Sequence, residues 1–277
     1  AGLKPVIAPE VEFYLVHKNT DPDYECMPHK GRSGRREVAR LSYSIDAVAE
    51  FEDFVEDMYD YADAQSLAVD TLIHENGAAQ MEINFRHGDP LAMADQVFVF
   101  KRTVRETALK HGMYATFMAK PMQREPGSAL HIHQSILSLE DGSNIFAGKD
   151  GKPTAAMMHY LGGLQSYTPE LISFYAPNVN SYRRLAPDIS EPINLSWGFD
   201  NRTTAFRVPN STPENLRIEN RFPGVDANPY LAITATLASG LLGMRQGLQP
   251  TEPHQGTANE EAVVVARTLE EGVRQLN

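Results

Sequence analysis

Val6-Ile-Ala-Pro-Glu-Val-Glu-Phe-Tyr-Leu-Val16 is an apolar run of strand length with two acids inside it, Glu10 and Glu12. Side chains two residues apart on a strand leave from the same face, so both carboxylates project together. The pattern recurs downstream. His131 and His133 share a face in Leu130-His-Ile-His-Gln-Ser135, and Arg217, Glu219 and Arg221 share one in Leu216-Arg-Ile-Glu-Asn-Arg-Phe222. Glu75 and Glu82 bracket a Gly-Ala-Ala turn, and Glu82 lies in the strand-like Ala79-Gln-Met-Glu-Ile-Asn-Phe85. A carboxylate facing inward from a strand is costly to desolvate unless it is paired or bound to metal.

Each signal alone has a plainer reading. A single Glu-x-Glu is usually a solvated outer face, a single His-x-His is usually structural or exposed, and Arg-x-Glu-x-Arg is an ion-pair ladder. Their joint occurrence is what carries weight. Five glutamates and a histidine in apolar strands point to a shared compensating charge. Mg²⁺ or Mn²⁺ suits them, since both prefer oxygen and Mn²⁺ tolerates a histidine. Two such ions nearly balance five carboxylates.

Around these segments the pattern predicts α+β rather than a doubly wound sheet. A polar loop runs to about Ser42, and helical spacing over residues 46–65 has Ser44 or Asp46 as its cap. Further helices are expected over 89–111, 154–174 and 228–247, and strands over 114–119, 129–137, 193–198, 203–208 and 216–222. Asp141-Gly142 and Asp150-Gly151 mark turns around a short hairpin.

Composition narrows the function. The 277 residues are 42% hydrophobic and 22% charged, which is ordinary for a globular domain with a substantial core. A net charge of −11 argues against a nucleic-acid partner, which would need a basic footprint. The longest apolar stretch, 230–244, is too short and too interrupted to span a bilayer, so no membrane is expected. One cysteine, Cys26, fits a reducing, cytoplasmic location. No glycine-rich phosphate loop is present. A bound nucleotide would therefore be held by metals and by the arginines Arg183, Arg184, Arg202, Arg207, Arg217 and Arg221, whose planar forks suit carboxylate and phosphate.

Six ordered motifs are Ala8-Pro-Glu-Val-Glu-Phe, His74-Glu-Asn-Gly-Ala-Ala-Gln-Met-Glu-Ile, Gly127-Ser-Ala-Leu-His-Ile-His-Gln-Ser, Asn180-Ser-Tyr-Arg-Arg-Leu-Ala-Pro, Asn201-Arg-Thr-Thr-Ala-Phe-Arg-Val-Pro and Arg217-Ile-Glu-Asn-Arg-Phe-Pro-Gly-Val-Asp. Together they resemble the glutamine synthetase superfamily over nearly the whole chain. The resemblance implies its catalytic domain over residues 1–277: a curved antiparallel sheet, flanked by helices, forming a funnel-like active site. It further implies one metal held by Glu12, Glu75 and Glu82 and another by Glu10, His131 and Glu219. His133, Ser135, Arg207 and Arg217 match positions that contact ATP. Gly127, Arg184, Arg202 and Arg221 match those around glutamate and the transferred phosphoryl group, and Arg202, Glu75 and Glu191 match the catalytic positions.

The implied reaction joins glutamate's γ-carboxyl to an amine through a γ-glutamyl phosphate. Ammonia-using members carry a glutamate in the loop after Arg-Leu-x-Pro, where this chain has Ser190 followed by Glu191; Pro126 stands where an asparagine usually precedes Gly127. The pattern looks more like γ-glutamylamine ligases, with an alkyl amine or polyamine such as putrescine as substrate. The alternatives are ammonia as the amine and a non-catalytic structural relative. The family's N-terminal β-grasp domain and C-terminal tail are expected outside these residues, and the full-length protein is expected to form a homo-oligomer, a double-ring dodecamer.

Overall fold

The computed structural model describes residues 2–19, 21, 23, 25–38, 40–186, 192–258 and 265–276. Strand β1 (Leu3–His17) is central. It pairs antiparallel with β3 (Gln80–Phe85), β4 (Met113–Thr116) and β5 (Leu130–Ser138). Beyond β3 lies β2 (Val69–His74), and beyond β5 follow β8 (Ile218–Asn220), β7 (Phe206–Val208) and β6 (Trp197–Phe199). The sheet departs from the all-antiparallel expectation at one junction, where β6 and β7 run parallel.

Alternation along β1 assigns the faces. Ile7, Val11, Phe13 and Leu15 are buried in the main core, beside Val97, Phe100 and Val104 of α3 (Pro90–Lys110). Glu10, Glu12 and Tyr14 take the opposite face. Asp89 caps α3 by accepting from the Leu91 and Ala92 amides, with Pro90 in the first turn where no amide is needed. Helices α4 (Ala155–Tyr175) and α6 (Pro229–Gln246) pack backbone to backbone, because a Cβ on Gly163 would stand 2.2 Å from the Ser239 carbonyl oxygen. No described helix is long and apolar enough to cross a membrane.

The helix expected over 46–65 is two helices, α1 (Ile45–Ala49) and α2 (Glu52–Ala64). Ser44 caps the first. The break has a cause in the preceding loop: Arg32 N–H donates to the Glu50 carbonyl at 2.8 Å and Ser33 N–H to its carboxylate at 3.0 Å, while Phe51 leaves helical geometry. Strand β2 has no counterpart in the sequence reading, since its exposed Asp70 and Thr71 blur the alternation. Gly142 and Gly151 do turn left-handed, but only isolated bridges form there. Short helices α5 (Ser181–Arg184) and α7 (Leu269–Gln275) and a 3-10 turn over Pro213–Asn215 complete the described elements.

Candidate active site

Register brings the acids together. Glu10 lies opposite His131 across β1 and β5 and opposite Asn84 across β1 and β3. Glu12 lies opposite Glu82, and Glu219 faces His133 on one side and Arg207 on the other. Cross-strand partners share a face, so five neighbouring strands, β3, β1, β5, β8 and β7, deliver their polar positions to one surface.

The contacts follow from that placement. His133 Nε2 stands 2.7 Å from Glu10 Oε1, and His131 Nδ1 stands 3.2 Å from Glu10 Oε2 and 3.6 Å from Glu219 Oε1. Arg217 Nε, which can only donate, is 3.1 Å from His133 Nδ1. Arg217 thus lies on the Nδ1 side of the His133 ring and Glu10 on the Nε2 side. Glu219 is wholly buried and paired with both Arg221, at 2.6 Å, and Arg207. Glu12 accepts from Ala129 N–H at 2.7 Å and from Gln80 Nε2 at 3.3 Å.

Two ligand groups emerge whose donor atoms lie within 4.8 Å of one another: Glu10, His131 and Glu219, and Glu12, Glu82 and His131. The first is the trio expected from the sequence. In the second, His131 stands where Glu75 was expected. Glu75 lines the same cavity, at the end of β2, but outside that cluster.

Electrostatics divide the acids. Burial opposes the charge on Glu10, but His133 and His131 outweigh it and hold the carboxyl well below its usual value. Burial likewise opposes charge on Glu219, yet Arg221 and His133 bring it down to about 2. Burial and then the carboxylates of Glu10, Glu12, Glu75 and Glu219 drive Glu82 well above the usual range. Burial also raises Glu75, with Arg202 offsetting part of the effect. His131 is lowered by burial and by Arg221, which favours the neutral imidazole that a metal requires. An uncompensated carboxylate beside a neutral histidine and hard oxygen donors is the chemistry that Mg²⁺ or Mn²⁺ satisfies, so the residues fit the expected ions.

The cavity above this surface measures about 350 Å³ and is lined by Glu10, Glu12, Glu75, Glu82, Gly127, His131, His133, Arg202, Arg207, Arg217 and Arg221 among others. A second cavity of about 660 Å³ adjoins it; His133 and Arg217 line both, and Ser135 lines only the second. Arg207 faces the smaller one. Arg184 lines neither. Its guanidinium is buried and donates to the Phe222 and Arg221 carbonyls at 2.8 and 3.0 Å, bracing the end of β8 from behind. A buried guanidinium needs acceptors, and those carbonyls supply two of them. Ser190 and Glu191 lie outside the described residues.

Several lining residues escaped the sequence reading. Asn84 shares strand parity with Glu82, and that rule alone could have found it. Gln80 bridges Glu12, Gly127 O and Ser128 Oγ from within the Gly-Ala-Ala-Gln turn. Tyr43 gave no local signal: its ring reaches the cavity from the polar loop, and its hydroxyl accepts from Arg202 at 3.1 Å.

Comparison with known proteins agrees with this geometry. Residues 1–277 match the family described as "Glutamine synthetase, catalytic domain". The chain is 38% identical over 249 residues to a glutamine synthetase of Pyrococcus abyssi, covering 90% of this chain and 54% of the relative. It is 37% identical over 262 residues to gamma-glutamylputrescine synthetase PuuA of Escherichia coli, covering 94% and 55%. A solved structure described as "GmaS/ADP complex-Conformation 1" superposes with a TM-score of 0.84 at 29% identity, covering 99% of this chain and 64% of that one. The chain spans about half the length of the curated relatives it matches. On a match along its whole length and an acidic ladder assembled on one sheet face, the chain belongs to the glutamine synthetase family, as a catalytic domain of that family.

Proposed function

We propose that the protein is an ATP-dependent ligase that joins the γ-carboxyl of glutamate to an amine, by preference an alkyl amine or polyamine such as putrescine. The observation that carries this reading is the cross-strand register that gathers Glu10, Glu12, Glu82, His131 and Glu219 beneath a rim of arginines. In this reading Glu12, Glu75 and Glu82 hold one divalent ion and Glu10, His131 and Glu219 the other; when bound, the ions neutralise charge on the phosphates and the reacting carboxylate.

The chain's own groups do the rest. ATP occupies the larger cavity beside His133, Ser135 and Arg217, with Arg207 turned towards its phosphates. Glutamate occupies the smaller one, with Gly127, Arg202 and Arg221 around its carboxylates. Arg184 acts through the Arg221 backbone it braces. The γ-carboxylate oxygen attacks the γ-phosphorus, the bond to ADP breaks, and γ-glutamyl phosphate forms. Arg202 and Arg221 stabilise the spread negative charge. The neutral amine nitrogen then attacks the acyl carbon and phosphate departs. Its surplus proton passes to a base, the role the sequence motif gives to Glu191. The full-length protein is read as cytoplasmic and homo-oligomeric, a double-ring dodecamer in which further domains complete the site.

A second reading, ammonia as the amine, is favoured by the equal similarity to an archaeal glutamine synthetase. ADP release by the full-length protein, with glutamate and ammonia, putrescine or ethanolamine in parallel, separates the two. Faster turnover with an alkyl amine is expected; equal or faster turnover with ammonia selects the second. Absence of saturable Mn²⁺ binding would instead favour a non-catalytic relative.

A further inference from the structure

The turn between β2 and β3 carries Glu75 and is tight enough that Ala79 takes a left-handed φ of 57°. Three consecutive amides at its tip are each taken by a side chain. Gly77 N–H donates to Gln80 Oε1 at 2.9 Å, Ala78 N–H to Glu125 Oε2 at 3.0 Å, and Ala79 N–H to Glu37 Oε2 at 2.9 Å. Successive amides in such a turn form a concavity that attracts anions. Here the anions come from two other loops of the same chain.

Glu37 does more than cap one amide. Its Oε2 also stands 3.0 Å from His74 Nε2, while His74 Nδ1 lies 2.7 Å from the Glu75 carbonyl oxygen. Its other oxygen, Oε1, is buried with no hydrogen-bond partner among the described residues, a cost the loop accepts to hold this position. The loop is then fastened twice more: Ser42 Oγ meets Asn76 Oδ1, and Tyr43 N–H donates to the His74 carbonyl at 2.8 Å. Tyr43 in turn holds Arg202 through its hydroxyl.

The geometry points to Glu37 as a positioning residue that latches residues 37–43 onto the Glu75 turn, and so sets Glu75 and, through Tyr43, Arg202 on the two sides of the smaller cavity. The inference rests on the ligase reading above for its kinetic consequence, but the latch itself is a property of the chain. Glu37 Oε2 bonds His74 and Ala79, neither of which lines the smaller cavity, so its effect travels through the turn and the loop.

The test uses the full-length protein carrying Glu37→Ala or Glu37→Gln. Three readouts are taken: hydrogen exchange of peptides covering residues 74–80, Mn²⁺ affinity, and the KM for glutamate and for ATP. Glu37→Ala is expected to speed exchange in the turn while leaving β5 peptides unchanged, to weaken Mn²⁺ binding about tenfold, and to raise the KM for glutamate more than that for ATP. Glu37→Gln keeps an oxygen that accepts from the Ala79 amide and is expected to recover Mn²⁺ affinity to within about threefold of wild type. Wild-type exchange and affinity in Glu37→Ala would overturn the proposal. So would a glutamine variant as impaired as the alanine one, or a loss of protection spread evenly over the sheet, which would mark a merely structural role. If the wild-type protein turns over no amine, the ligase reading falls, while exchange and Mn²⁺ affinity still decide the latch.

Discussion

Glu12 and Glu82 stand directly opposite each other across β1 and β3, both buried. Burial first, and then the neighbouring carboxylates of Glu10 and Glu12, push the Glu82 carboxyl well above the usual range.

The sign of the pH dependence follows. Glu82 is raised in the folded state, so its contribution to stability is present below about 4.5 and is lost as pH rises through the elevated folded value. Glu10 and Glu219 are depressed, so theirs is present above about 4.5 and is lost as pH falls. In chelator, the melting temperature should drop as pH rises past the Glu82 transition, and Glu82→Gln should flatten the drop. Calorimetry in buffers of different ionisation enthalpy should show proton release on Mn²⁺ binding to wild type that shrinks in Glu82→Gln. Equal proton release in the two proteins would remove Glu82 from the site.

Glu219 is fully buried and answers two guanidiniums, Arg221 and Arg207. Glu219→Ala strands Arg221, itself 5% exposed, without its counter-ion. Breaking a buried pair from one side costs about 3–5 kcal/mol. Chemical denaturation should register a loss of that order, and Glu219→Gln, which still accepts hydrogen bonds, a smaller one. A neutral alanine variant would contradict the ion-pair account.

Gly77 has no room for a side chain. A Cβ there would lie 1.9 Å from the Tyr14 hydroxyl, which donates to the Pro126 carbonyl at 2.8 Å beside Gly127. Gly77→Ala should cost about 1–3 kcal/mol, typical of overpacking. It should also raise the KM for glutamate by displacing the Pro126–Gly127 wall. An unchanged KM together with unchanged stability would show that the turn relaxes freely.

Lys101 is a buried cation on α3 that donates to the Val225 and Ala227 carbonyls, and burial brings its pKa to about 8. Its folded value lies below the unfolded one, near 10.5. Between the two the unfolded chain binds more protons, so stability from this group rises with pH across that window. The gap corresponds to about 3 kcal/mol at most. Measured against Lys101→Met, wild type should gain stability from pH 8 to 10.5; a constant difference would mean that Lys101 keeps its proton throughout.

How far the site was legible depends on the residue. Glu10, Glu12, His131, His133, Glu219 and Arg221 were found from strand parity, and Ser44, Asp89, Thr154 and Asn228 sit at helix caps. The motif expects Arg184 at the substrate; what no local pattern encodes is that its guanidinium also donates to backbone carbonyls 37 and 38 positions away. Tyr43 and Glu37 lie in a polar loop with no periodicity, and their partners are fixed by contacts that no local pattern encodes.

The sequence by itself determined which side chains share a face of each strand, because that parity has a period of two and needs no partner. Tertiary structure decided which strand lies beside which and in what register. Glu10 and His131 meet across 121 positions, and Tyr43 and Arg202 across 159. Such pairings depend on how the whole core packs, so identical local patterns could have met in another register, turning the same acids away from one another.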